Sequence, residues 1–108
     1  FKYQPVRSKR SLEEDLRIGM ERCDAIAVTG SRTGEITNLD KIREFRSIIG
    51  EFPLVVAAGL TPDVVPEQLS IGDAGIVGSW LKVGHVDNGD VCTENVRTFM
   101  DVVASIRQ

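Results

Sequence analysis

The chain has 108 residues, 42% of them hydrophobic and 27% charged, the balance of one soluble folded domain with a modest core. Its formal net charge of −3, with both signs interspersed, argues against a general nucleic-acid or membrane-surface binder. Two distant cysteines, Cys23 and Cys92, and a single histidine give neither a disulfide framework nor a histidine metal cage.

No cofactor or metal is called for. No apolar run approaches the roughly 20 residues of a membrane span, and no signal peptide is visible. Unpaired thiols point to an intracellular, reducing compartment. The chain starts at Phe1 rather than Met, so a preceding segment is expected.

Phe1 to Val6 reads as the end of a strand, with Lys2 near its polar tip and Pro5 as a stop. Ser11-Leu12-Glu13-Glu14 has the form of a capping box, so a helix is expected to follow to about Arg22. Its apolar residues, Leu12, Leu16, Ile18 and Met20, are irregularly spaced. Ala25 to Val28 is the second strand. It stops abruptly at Thr29-Gly30-Ser31-Arg32-Thr33-Gly34. Thr37 or Asn38 can cap the next helix, where Leu39, Ile42, Phe45 and Ile49 fall on one face and Gly50 closes the end.

Leu54 to Ala58 is apolar throughout, as expected of a parallel strand covered on both faces. It ends at Gly59-Leu60-Thr61-Pro62. Thr61 can cap a short helix there; alternatively the α-helical part begins near Pro66, which is awkward further inside a helix. Asp73 to Val77 is the fourth strand, ending at Gly78-Ser79, and Trp80 to Lys82 can form one extra turn. After a polar loop from Gly84 to Cys92, Thr93 is expected to cap a last helix. Its stripe is Val96, Phe99, Met100, Val103 and Ile106.

The order β-α-β-α-β-α-β-α suits either an open doubly wound sheet or half of an eight-unit barrel. Asp24 to Ser31 echoes Asp73 to Ser79 with one residue deleted, two βα units apart, which suggests a barrel. The polar strand ends favour the barrel too. Phosphate-binding barrels hold the anion on the loops after their last two strands and on a short extra helix. The expected fold is therefore α/β, with parallel strands: four βα units, the C-terminal half (units 5–8) of a (βα)8 TIM barrel, forming a single domain over residues 1–108. Such a half-barrel has free edges and an apolar concave face, so self-association is expected, or membership of a longer chain.

Gly59, Thr61, Gly78 and Ser79 are the candidates for phosphate binding, through backbone N–H donors at helix N-termini with glycines allowing close approach. As plain structure they would be turn glycines and helix caps. Thr29, Gly30, Ser31, Thr33 and Gly34 would line the same mouth, or simply satisfy their own loop. Lys82 could neutralise a phosphate or be a surface residue. Lys2 could be an electrostatic partner or a Schiff-base amine, though such lysines are commonly solvated. His85 could exchange protons near neutral pH, but in a polar loop it reads as an exposed histidine. Trp80 reads as a packing residue, and Asp24 and Asp73 lie at strand starts, on the stability face. No nucleophile–base pair or paired carboxylates are evident.

Val28-Thr29-Gly30-Ser31-Arg32-Thr33-Gly34 resembles the VTGxxTG motif of the BtpA/SgcQ family. Gly59-Leu60-Thr61-Pro62 is similar to that family's next motif, and Val77-Gly78-Ser79 with Lys82 to its last. The resemblance is clearest from Asp24 to Val103 and implies a (βα)8 barrel of twice this length or more. It also implies two functional readings. One is a barrel that binds a phosphorylated small molecule or nucleotide, with the reaction undefined. The other is a non-catalytic assembly or stability factor with a protein partner, since the founding member is associated with photosystem I biogenesis. Between Gly84 and Cys92 the usual Asn-Pro before the last helix is replaced, so contacts of that loop do not carry over.

Overall fold

A computed structural model describes residues 7–31 and 34–107. The expected first strand at residues 1–6, with Lys2, lies outside these, as do Arg32, Thr33 and Gln108. The described chain runs α1 (Leu12–Arg22), β1 (Ile26–Val28), α2 (Leu39–Ile49), β2 (Leu54–Val56), α3 (Val65–Gln68) and β3 (Ala74–Gly75). Two single 3-10 turns follow, Ser79–Leu81 and Val83–His85, and then α4 (Thr93–Ile106). No described helix is long and apolar enough to cross a membrane.

The helix starts follow from their caps. The Ser11 side chain accepts from the Glu14 N–H, and Asn38 Oδ1 accepts from Asp40 and Lys41, so Asn38 rather than Thr37 caps α2. Gly50 leaves α2 with φ +62°, a backbone turn that glycine makes without a side-chain clash. Of the two helix starts open after β2 the later one holds, and one other expectation is corrected. The α-helical part after β2 begins at Val65, with Thr61 and its neighbours forming a turn: the Thr61 carbonyl accepts from the Val64 and Val65 N–H groups, and Thr61 is not a side-chain cap. Likewise Cys92, not Thr93, is the cap position of α4, and Thr93 is its first helical residue.

The strands form one parallel sheet in the order β1-β2-β3. Ile26 lies opposite Leu54 and Val28 opposite Val56, while Val55 and Val56 lie opposite Ala74 and Gly75. Backbone bonds run past the strand limits, from Ala57 N–H to the Val28 carbonyl and from Ile76 N–H to the Val56 carbonyl, both 2.9 Å. Ile26, Val28, Leu54 and Val56 are buried, in one cluster with Leu16, Ile42, Phe45, Ile49, Val65, Phe99 and Val103. The alternate residues differ: Ala27 and Ala74 are exposed and Val55 and Ala57 half-buried. Leu54 to Ala58 is therefore covered on one face among the described residues, not on both as its unbroken apolar run suggests. That run carries the second-face residues of a parallel strand, and parallel sheets are ordinarily covered on both sides.

Candidate functional site

The C-terminal ends of β2 and β3 open into a cleft of about 550 Å³. Gly59 and Thr61 after β2 and Gly78 and Ser79 after β3 line it, together with Gly34 from the β1–α2 loop. These candidates from three strand ends, as much as 45 positions apart, meet because parallel strands in register carry their C-terminal loops to one edge.

The backbone here is open. Among the described residues, the N–H groups of Gly59, Leu60 and Thr61, and those of Gly78, Ser79 and Trp80, make no hydrogen bond to the protein. All of these residues line the cleft. Most backbone donors in folded proteins are paired, so a cluster of free donors around a concavity is a place for an acceptor from outside. The hydroxyls of Thr61 and Ser79 add neutral donors.

The two key glycines differ physically. Gly59 has φ +69°, and a Cβ there would sit 2.1 Å from the Glu35 carbonyl oxygen, so packing against the Glu35–Ile36 backbone demands a glycine. At Gly78, by contrast, an added Cβ meets nothing within 4 Å. Sequence alone gave both the same meaning; in space, Gly59 is first a packing residue and Gly78 an open rim.

The other candidates lie apart. Thr29 offers its carbonyl to Lys41 Nζ at 2.7 Å. Ser31 donates its N–H (2.8 Å) and its hydroxyl to the Glu35 carboxylate, and Gly30 packs against the Glu35 backbone. None of Thr29, Gly30 and Ser31 lines the cleft. Nor does Lys82, whose Nζ donates to the Asp87 carbonyl and lies 3.7 Å from its carboxylate. Asp87 itself does line the cleft, as do Ala57, Ile76, Trp80 and His85.

Trp80 packs, as expected, tilted over Phe99 of α4 with ring centroids 5.9 Å apart. It also stacks on His85, at 4.7 Å and 17° between planes. His85 is exposed as the sequence suggested, yet it faces this cleft. No local pattern signals that, because two irregular turns carry it there. The described residues hold no group of three or more His, Cys, Asp and Glu arranged for a metal ion. Cys23 and Cys92 are free thiols.

The sequence model of the BtpA family matches residues 6–105. The chain belongs to the BtpA family. It is 34% identical over 86 residues to an uncharacterized protein of Thermococcus kodakarensis, an overlap of 79% of this chain and 32% of the relative. An uncharacterized protein of Pyrococcus abyssi is 32% identical over 84 residues, 78% of this chain and 32% of that protein. A third, from Pyrococcus horikoshii, is 31% identical over 85 residues, again covering 79% and 32%. This BtpA-family chain thus spans about a third of the length of the curated relatives it matches. No solved structure matches it at a significant level.

Proposed function

We propose that this BtpA-family chain forms the last four βα units of a (βα)8 barrel, and that its cleft binds the phosphate of a phosphorylated small molecule or nucleotide. Three observations support the barrel: parallel strands in sequential order, one sheet face without cover, and relatives about three times as long as the matched stretch. In such barrels ligands gather at the C-terminal face, with phosphates on the last two βα loops.

The single observation that carries the ligand class is the set of N–H groups at Gly59–Thr61 and Gly78–Trp80, unpaired among the described residues and belonging to residues that line one cleft. Backbone donors suit an anion without requiring a lysine or arginine, consistent with a chain of net charge −3. The donors sit on turns, since α3 is four residues long and Ser79–Leu81 a single 3-10 turn. What supports an anion here is therefore unpaired donors on residues of one cleft, and not a helix dipole. Lys2 and Thr33 remain candidates for the same mouth on sequence grounds.

The test is calorimetric titration with inorganic phosphate, ribose 5-phosphate and AMP, together with amide NMR. Saturable binding with shifts at Gly59, Gly78 and Ser79, lost in Gly78→Asp, is the expected result. Failure of the full-length protein to bind any of these compounds would overturn the reading. A protein partner captured equally well by the Thr61→Ala/Ser79→Ala variant would favour the assembly-factor role instead.

A further inference from the structure

We infer that His85 is a ligand-contacting, proton-carrying residue of this cleft, held so that Nε2 is the nitrogen offered to a bound anion. The inference rests on the anion reading above and adds a titratable contact to it.

The geometry fixes the ring. His85 Nδ1 lies 2.7 Å from the Trp80 carbonyl oxygen. A carbonyl oxygen can only accept, so Nδ1 must carry the proton. In the neutral ring Nε2 is then an acceptor, and in the protonated ring it is a donor. The indole of Trp80, stacked at 4.7 Å, holds the ring plane and presents a π face that also suits an imidazolium. Phe99 of α4 supports that indole in turn.

The backbone adds an independent observation. His85 has φ +54° and is the only non-glycine described with positive φ. Such a conformation is disfavoured for a residue with a Cβ and needs surrounding structure to hold it. Here the His85 N–H donates to the Lys82 carbonyl at 3.0 Å, and Gly84 turns the chain with φ +71°. The result is an exposed histidine with one nitrogen tied, its ring stacked, and a cleft lined by unpaired donors beside it.

Among the described residues, the charged groups facing the ring or its neighbours can be named. Asp87 lines the same cleft and is paired with Lys82. Asp90 follows in the same loop, where its carbonyl accepts from Val83 N–H. The Glu35 backbone packs on Gly59, while its carboxylate takes the Ser31 donors. From α4 the residue against Trp80 is the uncharged Phe99. Protonating His85 therefore adds a cation beside the free N–H groups, where an anion gains from it.

Sulfate is the probe, because its charge does not change between pH 5.5 and 8. His85 is the only histidine of these 108 residues, and the loss of its ring signals in His85→Asn assigns them. At pH 8, long-range ¹⁵N–¹H correlation should place the ring proton on Nδ1. Adding sulfate should shift the ring signals together with the amides of Gly59, Gly78 and Ser79. Affinity should be higher at pH 5.5 than at pH 8. His85→Asn, which tolerates the left-handed backbone and can keep the bond to Trp80, should lower affinity about five- to tenfold at pH 5.5 and abolish the pH difference. A proton on Nε2 overturns the inference. So do ring signals that stay still while Gly78 and Ser79 respond, and that result leaves the anion reading intact. No response at Gly59, Gly78 or Ser79 overturns the anion reading and the His85 contact with it.

Discussion

Arg46 of α2 and Asp73 at the entry to β3 are joined by a 2.8 Å ion pair that closes the bottom of the sheet, opposite the cleft. Asp73 Oδ2 also accepts from the Leu54 N–H at 2.9 Å, so one carboxylate fastens β3 to the start of β2. Arg46 donates further to the carbonyls of Ile71, Gly50 and Phe52. This is a structural post, in keeping with a strand-start aspartate on the stability face. Arg46→Ala is expected to cost about 1–3 kcal/mol, because partly buried carbonyls lose a charged donor. Urea unfolding of the two proteins measures it. A cost below about 0.3 kcal/mol would remove Arg46 from that role.

The same pair sets a pH dependence. The Arg46 guanidinium and, next, the Leu54 N–H hold the Asp73 carboxyl below its ordinary value of 3.8. A carboxylate more acidic in the folded state contributes stability that is complete above the ordinary value and lost as pH falls through the folded one. Solvent screening keeps the contribution small, since the Asp73 side chain is 55% exposed. The urea midpoint should fall on acidification below about pH 4, and Asp73→Asn should flatten part of that fall. Asp15, lowered chiefly by its hydrogen bond from Arg10, accounts for a further part.

How much of this was legible beforehand depends on the range of the physics. The α2 stripe of Ile42, Phe45 and Ile49 and the Ser11 cap are local patterns, and the chain keeps them. The meeting of Gly59, Thr61, Gly78 and Ser79 was also readable, because parallel strands put successive C-terminal loops on one edge. The separation of Thr29, Gly30 and Ser31 from the cleft was not. Glu35 decides it by drawing Ser31 to its carboxylate, an interaction within a loop that no periodicity encodes. His85 was hidden for a like reason, as its position depends on a carbonyl and an indole five residues back.

Gly59 and Gly78 should part company under substitution. Gly59→Ala forces a Cβ into the Glu35–Ile36 backbone at positive φ and should destabilise by at least about 2 kcal/mol. Gly78→Asp has open space and no left-handed backbone, so the melting profile should stay within about 0.5 kcal/mol of the parent. Its carboxylate would nonetheless repel an anion at the rim. Equal loss of stability in both variants would contradict the distinct environments of the two positions.

Thr37 and Gln68 brace the loop that brings Gly34 to the cleft. Thr37 is 1% exposed; its hydroxyl donates to the Ala58 carbonyl at 3.1 Å, and its own carbonyl accepts from Gln68 Nε2 at 2.9 Å. Thr37→Val preserves shape and deletes the donor, leaving the Ala58 carbonyl short of a partner next to Gly59. The expected cost is about 1 kcal/mol. It should appear equally in unfolding and as weakened phosphate binding, because the loop and the β2 end shift together. Thermal melts and calorimetry on the same sample check both, and unchanged binding would show that the brace does not position the cleft.

The uncovered sheet face makes the last prediction. Ala27, Val55, Ala57, Ala74 and Ile76 present an apolar surface without cover among the described residues, and Ile76 is 60% exposed. Small residues at Ala27, Ala57 and Ala74 leave room for side chains from an opposing sheet, as expected inside a barrel whose interior is filled by alternating layers. When only this chain is present, a second copy offers the same surface in complementary form. Light scattering of the 108-residue chain should therefore report a dimer or larger species. Ile76→Asp should shift it toward monomer, since a buried unpaired carboxylate is costly between sheets while an exposed one is not. Supplying the remaining part of a longer relative as a separate polypeptide should compete with self-association if both cover the same face. A stable monomer of the unaltered chain would remove the self-association claim.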